Sequence, residues 1–133
     1  MSNNLVKNAL AEKAEAVRMW KQIATLAQQI KFSDAQTKDF AVTSAAYGRI
    51  KYSLFKQAWV ILGHGAMGDQ SGKYDCERLS AAIAAYDRLW MEWRALKETH
   101  PSCATLYKDV AFQNRPGIGV AVDKYRKICE AAK

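Results

Sequence analysis

Apolar residues in this chain recur at steps of three and four, and no stretch alternates apolar with polar long enough for a confident strand. That spacing commits the backbone to helices. From about Leu5 to Ile30, the residues Val6, Leu10, Val17, Trp20, Ile23, Ala27 and Ile30 share one helical face. Lys31-Phe32 ends the segment. Ser33-Asp34-Ala35-Gln36 then has the spacing of a capping box, with Ser33 accepting from a free amide and Gln36 reaching back. A second helix follows from about Asp34 to Leu62, with Phe40, Tyr47, Ile50, Leu54, Ala58 and Ile61 as its stripe. Small residues at Ala41, Ser44, Ala45, Ala46 and Gly48 allow a neighbouring helix to come close. The glycines from Gly63 to Gly72 predict its end, because glycine caps helices and weakens their interiors.

Asp75 is the expected N-cap of a third helix, Cys76 to Thr99. Its inward face is Leu79, Ile83, Tyr86, Leu89-Trp90, Trp93 and Leu96. Pro101 closes it, since the residue before a proline is driven out of the helical region. Leu106, Tyr107, Val110 and Phe112 suggest a short extra helical turn, and Asn114-Arg115-Pro116-Gly117 a loop. A last helix, about Ile118 to Ala131, turns Ile118, Ala121-Val122, Tyr125 and Ile128-Cys129 inward. The expected fold is all-α: an antiparallel up-down bundle of four main helices, one domain spanning 1–133.

A chain of 133 residues is long enough to bury a real core. It has no apolar run of membrane-spanning length. MSNNLVKNALAEK lacks the apolar stretch of a signal peptide. The formal charge is +7. The basic residues are scattered beside acids, as in Glu12-Lys13, Glu77-Arg78 and Asp123-Lys124, which argues against nucleic acid, whose binders gather charge into a stripe. Cys76, Cys103 and Cys129 form no CxxC. One disulfide is open to them, but buried free thiols are the expectation.

The motifs that could carry chemistry each lack their context. Gly63-His64-Gly65-Ala66-Met67-Gly68 spells GxGxxG, yet it follows a helix and not a strand. Asp69, Ser71 and Asp75 have calcium-loop spacing, but Ser80 stands where an EF-hand needs its bidentate acid. His64 and His100 have no metal-site spacing. Cys103 with His100, and the carboxylates Asp87 with Glu92 or Glu12 with Glu15, form no defensible catalytic set. Asp87 and Glu92 read as exposed helix charges. No catalytic residue, metal ligand or cofactor is expected.

The aromatics remain. Trp20, Trp59, Trp90 and Trp93 read first as core anchors, given the area each hides. Tyr86, Trp90, Trp93 and Tyr107 crowd the end of one helix and the turn after it. They are the candidate ligand-stacking group, together with the Gly63–Tyr74 loop.

Four stretches carry a resemblance: GDQSGKYD (Gly68–Asp75), AAIAAYDRLWMEWRAL (Ala81–Leu96), PSCATLY (Pro101–Tyr107) and GIGVAVDKYR (Gly117–Arg126). Over about Ala14 to Lys127, the chain resembles the helical domain that follows a TIM barrel in bacterial multidomain glycoside hydrolases. The resemblance implies an accessory domain and not an enzyme by itself, because a barrel takes about 250 residues. It implies packing on a catalytic TIM-barrel domain or contact with glycan, in a secreted or periplasmic parent. The rival is a free-standing helical protein-interaction module with a basic surface. A third reading is a small-molecule binder that uses the bundle core. Exposed Trp and Tyr would favour glycan, and a contiguous aliphatic face would favour a protein partner.

Overall fold

The computed structural model describes residues 3–100 and 116–133. These form four helices: α1 (Asn3–Gln29), α2 (Ala35–Ser71), α3 (Cys76–Thr99) and α4 (Pro116–Ala131). No strand occurs among the described residues. The expected turn at Leu106–Phe112 lies outside them, as do Cys103 and Tyr107. The all-α bundle is therefore the observed fold.

α2 is the spine. It is 37 residues long, about 55 Å at the usual helical rise, and α1, α3 and α4 all pack on it. α1 runs antiparallel to it: Trp20 lies against Gly48 and Tyr52, while Leu10 shares a groove with Trp59 and Val60. α3 is antiparallel on another side, with His100 beside Asp39 and Arg49 paired to Glu92. α4 lies against the C-terminal half of α2 and the N-terminal half of α3, through Tyr125 on Gly65 and Arg126 on Asp87. The core is Ile50, Leu54, Ala58 and Ile61 of α2, Leu79, Ile83, Tyr86 and Trp93 of α3, and Val122, Tyr125 and Cys129 of α4.

α2 does not stop at Leu62. It continues through Gly63, Gly65 and Gly68 to Ser71 and ends at Gly72, whose φ of 75° is left-handed and whose N–H donates to the Gly68 carbonyl. The internal glycines serve contact. A Cβ on Gly65 would stand 2.1 Å from the Tyr125 ring, and one on Gly68 would stand 2.1 Å from the Tyr74 ring. Gly48 admits Trp20 in the same way, at 2.3 Å. Each bare position lets an aromatic ring lie on the helix backbone, and the buried ring offsets the poor helix propensity of glycine.

Other expectations need correction. The N-cap of α2 is Asp34 and not Ser33: Asp34 accepts from the Thr37 N–H at 2.6 Å, and Ser33 Oγ donates to Asp34. Phe40 is 51 % exposed and not in the α2 stripe. On α1, Val17 and Ala27 are buried, but Ile23 and Ile30 are 42 % and 51 % exposed. Among the described residues α1 packs only on α2, and a single neighbour cannot cover so wide a stripe. Cys76 and Cys129 are not free thiols. They form a disulfide with Cα atoms 5.3 Å apart, tying the start of α3 to the end of α4.

Three stability outcomes follow. Gly65→Ala forces Tyr125 off the helix and should cost about 1–3 kcal/mol in denaturant melts, even though alanine favours helix. Gly119→Ala, where a Cβ meets nothing within 4 Å, should be neutral or stabilising by up to about 1 kcal/mol. The disulfide spans a sequence separation of 53. Its replacement by Cys76→Ser/Cys129→Ser should lower the unfolding free energy by about 2–4 kcal/mol, as loop-closure entropy predicts.

Candidate functional site

The last turns of α2 present two sides with different roles. One side is locked. Asp69 accepts from the Tyr74 hydroxyl, from the Tyr125 hydroxyl at 2.7 Å, and from Lys124 Nζ at 3.1 Å to both oxygens. One carboxylate thus joins α2, the linker after it and α4. The hydroxyl of Tyr74, that of Tyr125 and the Lys124 ammonium together hold the Asp69 carboxyl down at about 2. Burial, then the hydrogen bond to Asp69, pushes the Tyr125 hydroxyl up to about 12. These are structural shifts. Asp69 is committed to three partners within the fold, so it is not the free calcium ligand the loop spacing suggested. No group of three or more His, Cys, Asp or Glu among the described residues could hold a metal ion.

The other side is open. Trp59, Val60, Gly63, Ala66 and Met67 of α2 face Lys7 and Leu10 of α1 across a groove of about 340 Å³. His64, Gln70 and Arg78 complete its lining, and Met67 is 56 % exposed. The glycine motif therefore does not cradle phosphate. Its residues lie within a continuous helix, where the amides are used by the helical ladder. What the motif contributes is a flank of this groove.

The aromatic group at the end of α3 divides. Tyr86 and Trp93 are 7 % and 2 % exposed, and both belong to the core. Trp90 is half-buried and stands edge-on to both, with centroids 6.1 and 5.6 Å away. Lys97 Nζ sits 5.1 Å from the centre of the Trp93 ring. Tyr107 lies outside the described residues. Of the four, the structure brings three into one edge-to-face cluster, and Trp90 keeps accessible surface.

The carboxylates flanking these rings are tied across helices. Asp87 takes a two-pronged contact from Arg126 at 2.6 and 3.0 Å, and Glu92 accepts from Arg49 at 2.6 Å. Both read from sequence as exposed helix charges, and the structure adds cross-helix partners to them. Their partners lie 39 and 43 residues away, beyond the reach of local spacing. Glu15 pairs with Arg18 within α1, and His100 Nδ1 lies 3.2 Å from Asp39.

A further feature has no counterpart in the sequence reading. Leu5, Met19, Ile23 and Leu26 on α1, with Ile30 just beyond it, are each between 42 % and 56 % exposed. At about 100° per residue they fall within one narrow sector, away from Val17 and Leu10, which face α2. α1 thus carries two apolar stripes, one covered by α2 and one left open among the described residues. Seven-residue spacing was the signal: 19, 23, 26 and 30 repeat it.

Asp69 gives a test of the lock. Its folded value lies below the ordinary aspartate value of about 3.9, so its contribution is present above that pH and is lost as pH falls through about 2. Asp69→Asn should melt below wild type at pH 7, and the gap should close between about pH 4 and pH 2. A gap that ignores pH would mean the carboxylate charge contributes nothing. Searches against protein-family models, curated proteins and solved structures return no match for this chain.

Proposed function

We propose that the chain is a non-catalytic helical domain that docks on a protein, and that its partner is the catalytic domain of a carbohydrate-active enzyme. The observation that carries docking is the open stripe of α1: Met19, Ile23, Leu26 and Ile30. These side chains are aliphatic or thioether, which suits a packed protein interface better than a sugar platform. A contiguous apolar surface of this kind marks an interaction site. The class of partner rests on the resemblance of GDQSGKYD, AAIAAYDRLWMEWRAL and GIGVAVDKYR to the helical domains of glycoside hydrolases. The disulfide fits a secreted or periplasmic parent, because such bridges persist in oxidising compartments. The described residues pair Asp87, Glu92 and Asp69 inside the fold, so the reading needs no catalytic role for them.

Affinity capture from the source organism, with the wild-type domain and Ile23→Glu/Leu26→Glu side by side, tests this. Both positions are exposed, so the variant should melt close to wild type. The expected result is a carbohydrate-active enzyme, identified by mass spectrometry, whose purified catalytic domain binds the variant at least tenfold more weakly. That corresponds to about 1.4 kcal/mol. Equal binding of the two proteins would sink the reading. Saturable oligosaccharide binding abolished by Trp90→Ala, with no protein partner, would transfer the function to glycan contact.

A further inference from the structure

The groove between α1 and the C-terminal half of α2 lies on the far side of α1 from the docking stripe. Its floor and one wall are apolar: Leu10, Trp59 and Met67. Its polar lining is one-sided in charge. Lys7 and Arg78 line it beside the polar His64 and Gln70, and no acidic side chain does among the described residues. The volume, about 340 Å³, is at the small end of what small-molecule sites occupy. An apolar slot with a few convergent polar groups is the usual form of such a site. Several cations elsewhere on this protein pair with acids. Lys124 is held by Asp69 and Arg126 by Asp87. Arg78 touches Asp75 at 3.5 Å while remaining 70 % exposed, so its remaining donors are open to a ligand.

We propose that this groove binds a small anionic amphiphile, a medium-chain carboxylate whose tail lies on Trp59, Leu10 and Met67 and whose head meets Lys7 and Arg78. The tail supplies affinity through burial of methylenes. The head supplies orientation, because a carboxylate accepts from ammonium and guanidinium donors at the rim. A neutral chain of equal length lacks the second contribution. A sugar lacks the first, which separates this ligand from glycan. The site shares no residue with the α1 docking stripe, so either can fail alone.

Isothermal titration of the folded chain with hexanoate, octanoate and decanoate, each below its micellar range, tests the proposal. Affinity should rise about fourfold for each added methylene that is buried, the factor set by about 0.8 kcal/mol per methylene. Lys7→Ala/Arg78→Ala should weaken decanoate about tenfold and leave 1-decanol unchanged. Met67→Glu, at an exposed position, should abolish decanoate binding without changing the melting temperature. Ile23→Glu/Leu26→Glu should bind decanoate as wild type does. The absence of saturable heat, equal affinity for decanol and decanoate, or indifference to Lys7→Ala/Arg78→Ala would each overturn it. Binding confined to phosphatidylglycerol vesicles would also overturn it, in favour of a membrane surface.

Discussion

The contact on which the rest depends is an aromatic ring laid directly on a helix backbone. Tyr125 reaches α2 at Gly65, and its hydroxyl then reaches Asp69 one turn further on. Tyr74 does the same from the linker, through Gly68 and Asp69. Together these contacts place α4, fix the α2–α3 turn and let α2 run on past three glycines. Trp20 on Gly48 repeats the device for α1. Gly65 and Gly68 let both tyrosine rings lie on the α2 backbone with their hydroxyls in reach of Asp69.

The same arrangement explains why the two sides of α2 differ. Along its C-terminal half, one side is taken up by tyrosines and the carboxylate that gathers them. The other meets only the N-terminal turns of α1, which do not fill the space, and a groove is left. Likewise α1 has one neighbour among the described helices, so its second apolar stripe has no cover among the described residues. Both candidate surfaces thus arise from one asymmetry: three helices lean on α2, but among the described residues only α3 and α4 are also packed on each other.

Local spacing made much of this legible. α3 is found at Cys76–Thr99 with Asp75 as its cap, as its periodicity, its capping residue and Pro101 predict. α4 differs from expectation by two residues, because Pro116 serves as a first helical residue and not as loop. The errors have one source. Gly63–Gly72 reads as a helix stop because glycine propensity is local, while the rings that occupy Gly65 and Gly68 come from α4 and the linker. The Asp87–Arg126 and Glu92–Arg49 pairs and the disulfide are equally long-range, and three cysteines do not reveal their own pairing. Tyr86 and Trp93, seven apart on one face, were legible as core. The open stripe on α1 was legible as apolar but not as uncovered, since coverage depends on how many neighbours a helix finds.

The Cys76–Cys129 bridge closes a covalent ring that contains α3 and most of α4 and leaves α1 outside. α1 is held by its contacts with α2 and by the short connection from Ile30 to Asp34. Among the described helices it is the one that lies outside the ring and packs on a single neighbour. In a concentrated solution, two copies could trade their first helices, each α1 seating Trp20 on the other chain's Gly48. Such an exchange would keep every native side-chain contact while making a dimer, and reducing agents would neither drive nor prevent it.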